Sequence, residues 1–421
     1  MNILAISLGS YGDISPFISL GKELQKRGHK FTIGTFTDFK ELIIDNNLNF
    51  QEISGNSDEL VSLLLSNSDN SRQSGINGIE FLLNKYPDLF NDFYSACINK
   101  DIIIYNQFGA LAYHFAEKLN IPVFRSFVFP FDPTKQYSSL ITTNKRDSII
   151  NYFSYYLCYY FFNKASLNIA NIWRKKLGLS SWNIFKNYRK MNGKKIPTLY
   201  QYDNILASRD KNWDDSITLT GNWTDENKAE SRFNYINKDL LYFLDSNDFI
   251  AYVGFGSMKY SSINKIYLNV VKALIKKDVK IIMPKNAKKI FDSTVNFKDI
   301  YFVDFIPFDL YFSKISFAIH HGGCGTVHKC LKYSIPQLVL SFGADQNFWG
   351  NQIYYLKIGP KPLDIKKSDS LNLIYSRVDE LIKNDMYRIN SVKYSKNITN
   401  NGVSVAADKL EEYFGGLNNN V

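Results

Sequence analysis

Apolar residues dominate positions 3–8, Ile3-Leu4-Ala5-Ile6-Ser7-Leu8, and the run stops at Gly9-Ser10-Tyr11-Gly12-Asp13. From Pro16 the spacing changes to Phe17, Leu20 and Leu24, one face of a helix over 16–27. Gly28-His29-Lys30 ends that helix, and Phe31-Thr32-Ile33-Gly34-Thr35 starts a second run. Strand, glycine loop, helix and strand make a βαβ opening, which predicts a parallel sheet covered by helices. Asp101–Tyr105 and Ile121–Phe124 read as further strands around a helix near 109–119. The Ser/Asn/Gly-rich stretch 54–78 has little periodicity and reads as a mobile loop. Residues 150–190 are aromatic and helical in pattern.

A second series of the same kind begins at Phe249-Ile250-Ala251-Tyr252-Val253. The turn Gly254-Phe255-Gly256-Ser257-Met258 follows, then a helix over 262–276. Strands are predicted at 279–283, 300–303, 316–319 and 337–341, with a helix after Gly325. The expected fold class is α/β, two Rossmann-like doubly wound domains facing each other across a cleft. The first domain is expected over 1–205, a connection over 206–247 and the second domain over 248–400. A C-terminal helix and tail, 401–421, is expected to pack back towards the first. Ligands of such sheets sit at the carboxyl ends of the strands, where the glycine loops lie.

Composition narrows the class. With 421 residues, 45% of them hydrophobic, the chain can bury two or three domain cores without staples. Cys97, Cys158, Cys324 and Cys330 form no C-x-x-C pair and lie at no zinc-finger spacing, which fits a reducing compartment. The formal net charge of +10 suits phosphate-bearing ligands or an anionic membrane surface. No Lys/Arg block or recognition module accompanies it, so a nucleic-acid partner is not expected. The start has no basic region ahead of its short apolar run, so a signal peptide is not expected. Residues 152–162 are lipophilic but too few to span a bilayer, which takes about 20. A cytoplasmic location with peripheral membrane contact is the expectation.

Candidate chemistry lies in the loops after strands. Ile319-His320-His321-Gly322-Gly323-Cys324-Gly325-Thr326 follows one strand and opens a helix. Glycines at a helix N-terminus expose N–H groups in a positive potential, a cradle for phosphate to which His321 adds a donor. The same residues also make a plain glycine turn. Asp345 and Gln346, after Phe342-Gly343-Ala344, offer acceptors and donors suited to sugar hydroxyls, or ordinary loop chemistry. Asp13 reads equally as a general base or as the N-cap of the helix 16–27. His29 reads as a capping residue in its turn, His114 and His328 as packed or exposed helix residues, and Trp213 and Trp223 as packing anchors. No His, Asp or Glu cluster has metal-ligand spacing, so no metal site is expected.

Together the blocks resemble a known family. Gly9-Ser10-Tyr11-Gly12-Asp13-Ile14-Ser15-Pro16-Phe17 resembles the opening of inverting glycosyltransferases of the GT-B fold, in the UDP-glycosyltransferase superfamily. The nearest branch holds sterol 3-β-glucosyltransferases and vancomycin-type antibiotic glycosyltransferases. Val253–Met258, Asp304-Phe305-Ile306-Pro307, His320–Thr326, Asp345–Asn351 and Gly359-Pro360 are similar to that branch in the same order.

The resemblance implies a role at each matching position. Asp13 stands where the branch keeps its catalytic base, with Ser10 and Gly12 in the acceptor-side loop. Ser257, His321, Gly323, Gly325 and Thr326 would bind the donor's diphosphate. Asp345 and Gln346 would hold the donor sugar, and main chain near Phe305 and Ile306 would meet the nucleobase. The implied reaction is a metal-independent, inverting transfer of a hexose to a hydroxyl of a small lipophilic acceptor, a sterol, lipid or natural product. No cofactor is implied, and UDP-glucose is the expected nucleotide-sugar co-substrate. An ordinary Asp is a weak base for a hydroxyl, so the proton must move late.

The chain also departs from the family. Cys330 and Ser334 replace glycines, Ser341 a proline and Phe308 a histidine. Lys329 stands where many relatives carry a ribose-binding Glu, which leaves the nucleotide preference open. The aromatics Phe127, Phe129, Phe131 and 152–162 would either line an apolar acceptor pocket or fill a core. A nucleotide-sugar epimerase and a non-catalytic partner protein are the alternatives on this architecture; the first needs several acid/base groups near the sugar and the Asp13 loop argues against it, and retention of Asp13 and His321 disfavours the second.

Overall fold

In a computed structural model the described residues are 1–59, 85–141, 146–224, 238–245, 249–256, 263–291, 297–303, 311–343, 345–367 and 370–418. The predicted loop 54–78 falls mostly outside them, as do Ser257, Phe305 and Ile306. The chain divides into two compact units. Met1–Tyr202, Arg209–Thr224 and Asn400–Val421 form the first, and Asp203–Ser208 with Asp225–Thr399 form the second.

The first unit is built on a seven-stranded sheet. Its strands are β1 (Asn2–Ile6), β2 (Lys30–Thr35), β3 (Asn49–Glu52), β4 (Ile102–Tyr105) and β5 (Val123–Phe127). After a short antiparallel pair, β6 (Lys190–Met191) and β7 (Lys194–Lys195), come β8 (Thr198–Tyr200) and β9 (Ile217–Leu219). The order is β3-β2-β1-β4-β5-β8-β9, and every pairing in the sheet is parallel. The central strands β1, β4, β5 and β8 are buried on both faces, which explains the apolar runs of β1 and β4. β9 corrects the sequence reading, because residues 209–224 belong to this unit and do not form a bare connection.

Helices α1 (Tyr11–Lys26), α2 (Lys40–Ile44), α3 (Leu89–Cys97), α4 (Ala112–Leu119) and α5 (Ile149–Lys176) cover the sheet. α1 starts at Tyr11, earlier than the pattern from Pro16 suggests. Ser10 is its N-cap, with φ −90° and ψ 177°, and Asp13 occupies the third helical position. Asp13 is therefore not the cap. Its carboxylate reaches back to the backbone N–H of Ser10, as in a capping box. Pro16 is tolerated inside the helix at the loss of the bond from residue 16 to the carbonyl of Gly12.

The second unit has a six-stranded sheet ordered β12-β11-β10-β13-β14-β15. The strands are β10 (Ile250–Gly254), β11 (Lys280–Pro284), β12 (Ile300–Val303), β13 (Phe317–His320), β14 (Gln337–Ser341) and β15 (Leu363–Asp364), again all parallel. Its helices are α6 (Lys238–Asp245), α7 (Ile263–Ile275), α8 (Cys324–Lys332), α9 (Asp345–Tyr355), α10 (Leu371–Lys383) and α11 (Asp385–Ser395). Both sheets have the doubly wound order in which the chain reverses direction beside the first strand. That switch point lies between β1 and β4 in one sheet and between β10 and β13 in the other.

The last helix, α12 (Gly402–Asn418), packs on α1 in the first unit. Ala406, Ala407 and Leu410 are fully buried with Phe17, Leu24 and Trp223. Burying Leu410 alone is worth about 1.5–3 kcal/mol. Phe17 meets Trp223 edge-on at 5.6 Å. Arg27 binds Asp408 and Glu411, and His29 Nε2 lies 2.8 Å from Glu411 Oε1. His29 thus joins the two helices, whereas the cap of α1 is Arg27. Among the described residues no helix is long and apolar enough to cross a membrane.

Candidate active site

At the first switch point the loop after β1 delivers Asp13, and the segment after β4 delivers Gln107. Asp13 is half-buried. Its Oδ2 accepts from the backbone N–H of Ser10 at 2.8 Å and from Ser10 Oγ at 3.0 Å. Its Oδ1 accepts from Gln107 Nε2 at 3.3 Å. Burial raises its pKa to about 6, against these hydrogen bonds, which favour the charged form. Gly9, at φ +129°, makes the approach possible, since a Cβ there would lie 2.4 Å from Asp13 Oδ2. Gly12 is exposed in the first turn of α1.

Beside this carboxylate, on the same unit, lies a narrow aromatic cleft whose open space is about 10 Å3, room for one water. Gln107 lines it together with Tyr105, Arg125, Phe127, Phe131 and Phe162. The aromatic segment of α5 divides between two roles. Tyr159 and Phe162 line the cleft, while Tyr155 is core. Ile149, Ile150, Phe153, Leu157 and Phe161 face solvent, Phe153 with 62% of its surface exposed.

At the second switch point, His320 ends β13 and its ring is fully buried. Its Nδ1 accepts from the Gly322 N–H at 3.1 Å, and its Nε2–H donates to Gln337 Oε1 at 2.9 Å. Gln337 Nε2 donates onward to the carbonyl of Val327 in α8. Burial, with His321 next to it, lowers the His320 pKa to about 3, so the ring is neutral and fixes the loop. The φ of +91° at Gly322 requires glycine, and a Cβ there would meet Val339 at 2.7 Å.

His321 is the next ring. Burial lowers it to about 4, which leaves a neutral imidazole whose buried Nδ1 has no hydrogen-bond partner among the described residues. The glycines Gly256 and Gly323 pack against it closely enough that a Cβ at either would meet its ring within 3.0 Å. α8 begins immediately after, with Gly323 as an N-cap that offers no side chain. The N–H groups of exposed Gly325 and half-buried Thr326, in its first turn, have no partner among the described residues. His328, on the same helix, is buried and tied. Its Nδ1 donates to the carbonyl of Cys324 at 2.7 Å, and its Nε2 accepts from the Asp203 N–H at 2.9 Å.

The loop after β14 lies against this one, because a Cβ on Gly322 would fall 3.0 Å from the carbonyl of Gln346. Asp345 opens α9 and is half-buried. Gln346 Oε1 accepts from the Phe342 N–H at 2.7 Å. The second unit thus brings His321, Gly323, Gly325, Thr326, Asp345 and Gln346 to one end of its sheet.

Two family models match the chain. One describes a glycosyltransferase family 28 N-terminal domain, over residues 3–138. The other describes an erythromycin biosynthesis protein CIII-like C-terminal domain, over residues 268–407. The chain belongs to the UDP-glycosyltransferase superfamily. This superfamily member is 28% identical to a sterol 3-beta-glucosyltransferase of Debaryomyces hansenii, over 88% of the chain and 24% of that relative. It is 30% identical to one of Aspergillus oryzae, over 85% of the chain and 26% of the relative. It thus spans about a quarter of the length of the curated relatives it matches. Among solved structures it resembles the glycotransferase of kitacinnamycin, with TM-score 0.73, 15% identity and 98% of each chain covered. It also resembles the calicheamicin glycosyltransferase, with TM-score 0.67, 14% identity and 99% and 98% covered. Those likenesses show the GT-B fold.

Sequence reasoning about this superfamily member missed Gln107, His320, Gln337, Tyr105 and Arg125. Gln107 was findable, since it follows β4 at a switch point. An Arg inside the apolar strand Val123-Phe124-Arg125-Ser126-Phe127 was a second visible signal. The His320–Gln337 tie had none, because 17 residues separate the pair.

Proposed function

We propose that the chain is an inverting O-glycosyltransferase that moves a hexose from a nucleotide sugar, UDP-glucose in the first instance, to a hydroxyl of a small lipophilic acceptor. The observation that carries this reading is Asp13, half-buried at a sheet switch point and raised to about 6. A carboxylate so raised remains ionised at neutral pH, yet takes a proton more readily than an ordinary Asp. It would receive the acceptor's proton as that oxygen attacks the anomeric carbon. Ser10 and Gln107 fix its two oxygens, while Ser10 and Gly12 shape the loop around the incoming hydroxyl.

The loop 320–326 suits the departing diphosphate. The N–H groups in the first turn of α8, near Gly325 and Thr326, and the helix dipole supply hydrogen bonds where negative charge develops, with the neutral His321 ring packed beside them. His321, Gly323, Gly325, Thr326 and Ser257 would serve that group. Asp345 would accept from the sugar's hydroxyls, with Gln346 beside it and main chain near Phe305 and Ile306 at the base. This scheme calls on no metal and no cofactor. The sterol glucosyltransferase relatives favour glucose and an apolar acceptor. A related structure, the spinosyn rhamnosyltransferase, is described with thymidine diphosphate, so both pyrimidine nucleotides belong in the test.

The exposed apolar side of α5, together with the formal charge of +10, suits peripheral contact with an anionic lipid surface. Nucleoside diphosphate release from UDP- and dTDP-sugars, with cholesterol, a flavonoid or no acceptor, tests the reaction. Acceptor-dependent release is expected with a UDP-sugar. Absence of release with every donor, from folded protein that binds UDP, would overturn the transferase reading.

A further inference from the structure

The first half of α5 is built inside out. Its buried side includes the polar residues Asn151, Ser154 and Asn163, and each is tied to a nearby carbonyl. Asn151 Nδ2 donates to Lys135 at 2.9 Å, Ser154 Oγ to Asn151 at 2.6 Å and Asn163 Nδ2 to Ile184 at 3.0 Å. The outer side carries Ile149, Ile150, Phe153, Leu157 and Phe161, at helical spacings of three and four. Ile150 and Phe153 are 60% and 62% exposed. Phe185, 79% exposed, extends the patch, because its ring lies 6.3 Å from that of Tyr160. No charged residue occurs between Asp147 and Lys164. A helix segment apolar on its outer side calls for a cover, and a contiguous exposed patch of this kind marks a contact surface.

The charge around the patch says what that cover is. Between Asp147 and Asp203 the chain has nine Lys and Arg residues and no Asp or Glu, nearly the whole of its net charge of +10. Arg174, Arg189 and Lys195 are paired with Glu117, Asp132 and Asp214. The other six, Lys164, Lys175, Lys176, Lys186, Lys190 and Lys194, are exposed. Lys164 continues the outer side of α5 three residues after Phe161, and Lys186 follows Phe185, so cations border the apolar patch. A second copy of this segment would meet it with like charge. An anionic bilayer offers hydrocarbon to the patch and phosphates to the lysines, whose long stems reach headgroups from the patch edge.

We propose that the outer side of the first half of α5, with Phe185, inserts into the surface of an anionic bilayer, while Lys164 and Lys186 meet its phosphates. The proposal rests on the reading of peripheral lipid contact and names the element that makes it. On its inner side the same helix gives Tyr159 and Phe162 to the narrow cleft that Gln107 also lines. Docking through α5 therefore turns the side of the unit that holds Gln107 and Asp13 towards the lipid in which a lipophilic acceptor dissolves.

Co-sedimentation of the full chain with vesicles tests the proposal, using phosphatidylcholine alone and phosphatidylcholine mixed with phosphatidylserine. Binding to the mixed vesicles is expected to be about tenfold or more tighter. The double variant Ile150→Ser, Phe153→Ser should weaken that binding by about tenfold or more, and Lys164→Gln, Lys186→Gln several-fold. A matched change of exposed apolar residues on α11, Met386→Ser with Ile389→Ser, should leave it unchanged. The unfolding temperature of the α5 serine variant should not fall, since both side chains are outside the core. No binding to either vesicle would overturn the lipid reading and the proposal together. Binding that ignores the α5 variants, or falls equally in the α11 variant, keeps the lipid reading and removes α5 as its seat. A lowered unfolding temperature, or a dimer in sedimentation that Ile150→Ser, Phe153→Ser abolishes, would also overturn the proposal. Hexose transfer is read separately with a flavonoid in the absence of vesicles. Its absence alongside α5-dependent vesicle binding removes the transferase and keeps the docking surface.

Discussion

The two sheets reach the same switch-point geometry and equip it in opposite ways. The first unit places one titratable carboxylate there, raised to about 6 and gripped by Ser10 and Gln107. The second places rings that burial keeps neutral, His320 at about 3 and His321 at about 4, beside bare helix N–H groups. A site meant to exchange a proton needs a group near its operating pH. One meant to receive a polyanion needs donors that do not change with pH. In the proposed scheme the same topology is equipped by side chains alone, for proton exchange in one unit and for hydrogen-bond donation that does not change with pH in the other.

The comparison breaks most sharply at Asp13. Asp13→Asn keeps the size and the contact with Gln107 but removes the base, and kcat should fall by about 10²–10⁴. UDP affinity, measured by calorimetry, should stay at the wild-type value. A comparable loss of UDP binding would show that the two switch points are not divided as described. His321→Ala should act on the other side. We expect turnover to fall by about 10²–10³, with weakened UDP binding, as for removal of one donor at a developing anion. Unchanged UDP affinity there would remove His321 from the anion site.

The pH profile sharpens the same contrast. The base must be ionised, so kcat/KM should be level above about 6 and fall tenfold per unit below it. Gln107→Leu should move that break to higher pH, because the lost bond favours the charged carboxylate. UDP binding should show no break near pH 6. The smallest effect is expected at Lys409→Ala, whose exposed pair with Glu412 is distant in kind from both sites. Unfolding should shift by no more than about 0.5 kcal/mol.

Most of this was legible as sequence where chemistry is local. The short apolar runs marked the strands of both sheets, and glycine loops after β1, β10 and β13 marked the ends where ligands gather. Asp13, His321 and Asp345 could be singled out because each follows a strand directly. The start of α1 was misread because Pro16 is a strong helix-start signal, whereas the reciprocal hold of Ser10 and Asp13 is a side-chain geometry. β9 was hidden in a polar stretch, since a three-residue edge strand carries too short a pattern to stand out. The pairing of Tyr105 with Arg125 depends on strand register, and the tie from His320 to Gln337 on two strands lying adjacent. Neither is encoded by spacing along the chain.

The packing of α12 on α1 has a consequence for synthesis. The face formed by Phe17, Leu24 and Trp223 is completed by residues that emerge from the ribosome roughly 380 positions after α1. At about 5–20 residues per second, that is roughly 20–75 s during which a nascent chain carries an uncovered apolar surface. The second unit, whose sheet is drawn from one continuous stretch, has no such delay after its own strands appear. The apolar face of the first unit is therefore closed only once the last helix has been made, and until then α1 offers chaperones an uncovered surface.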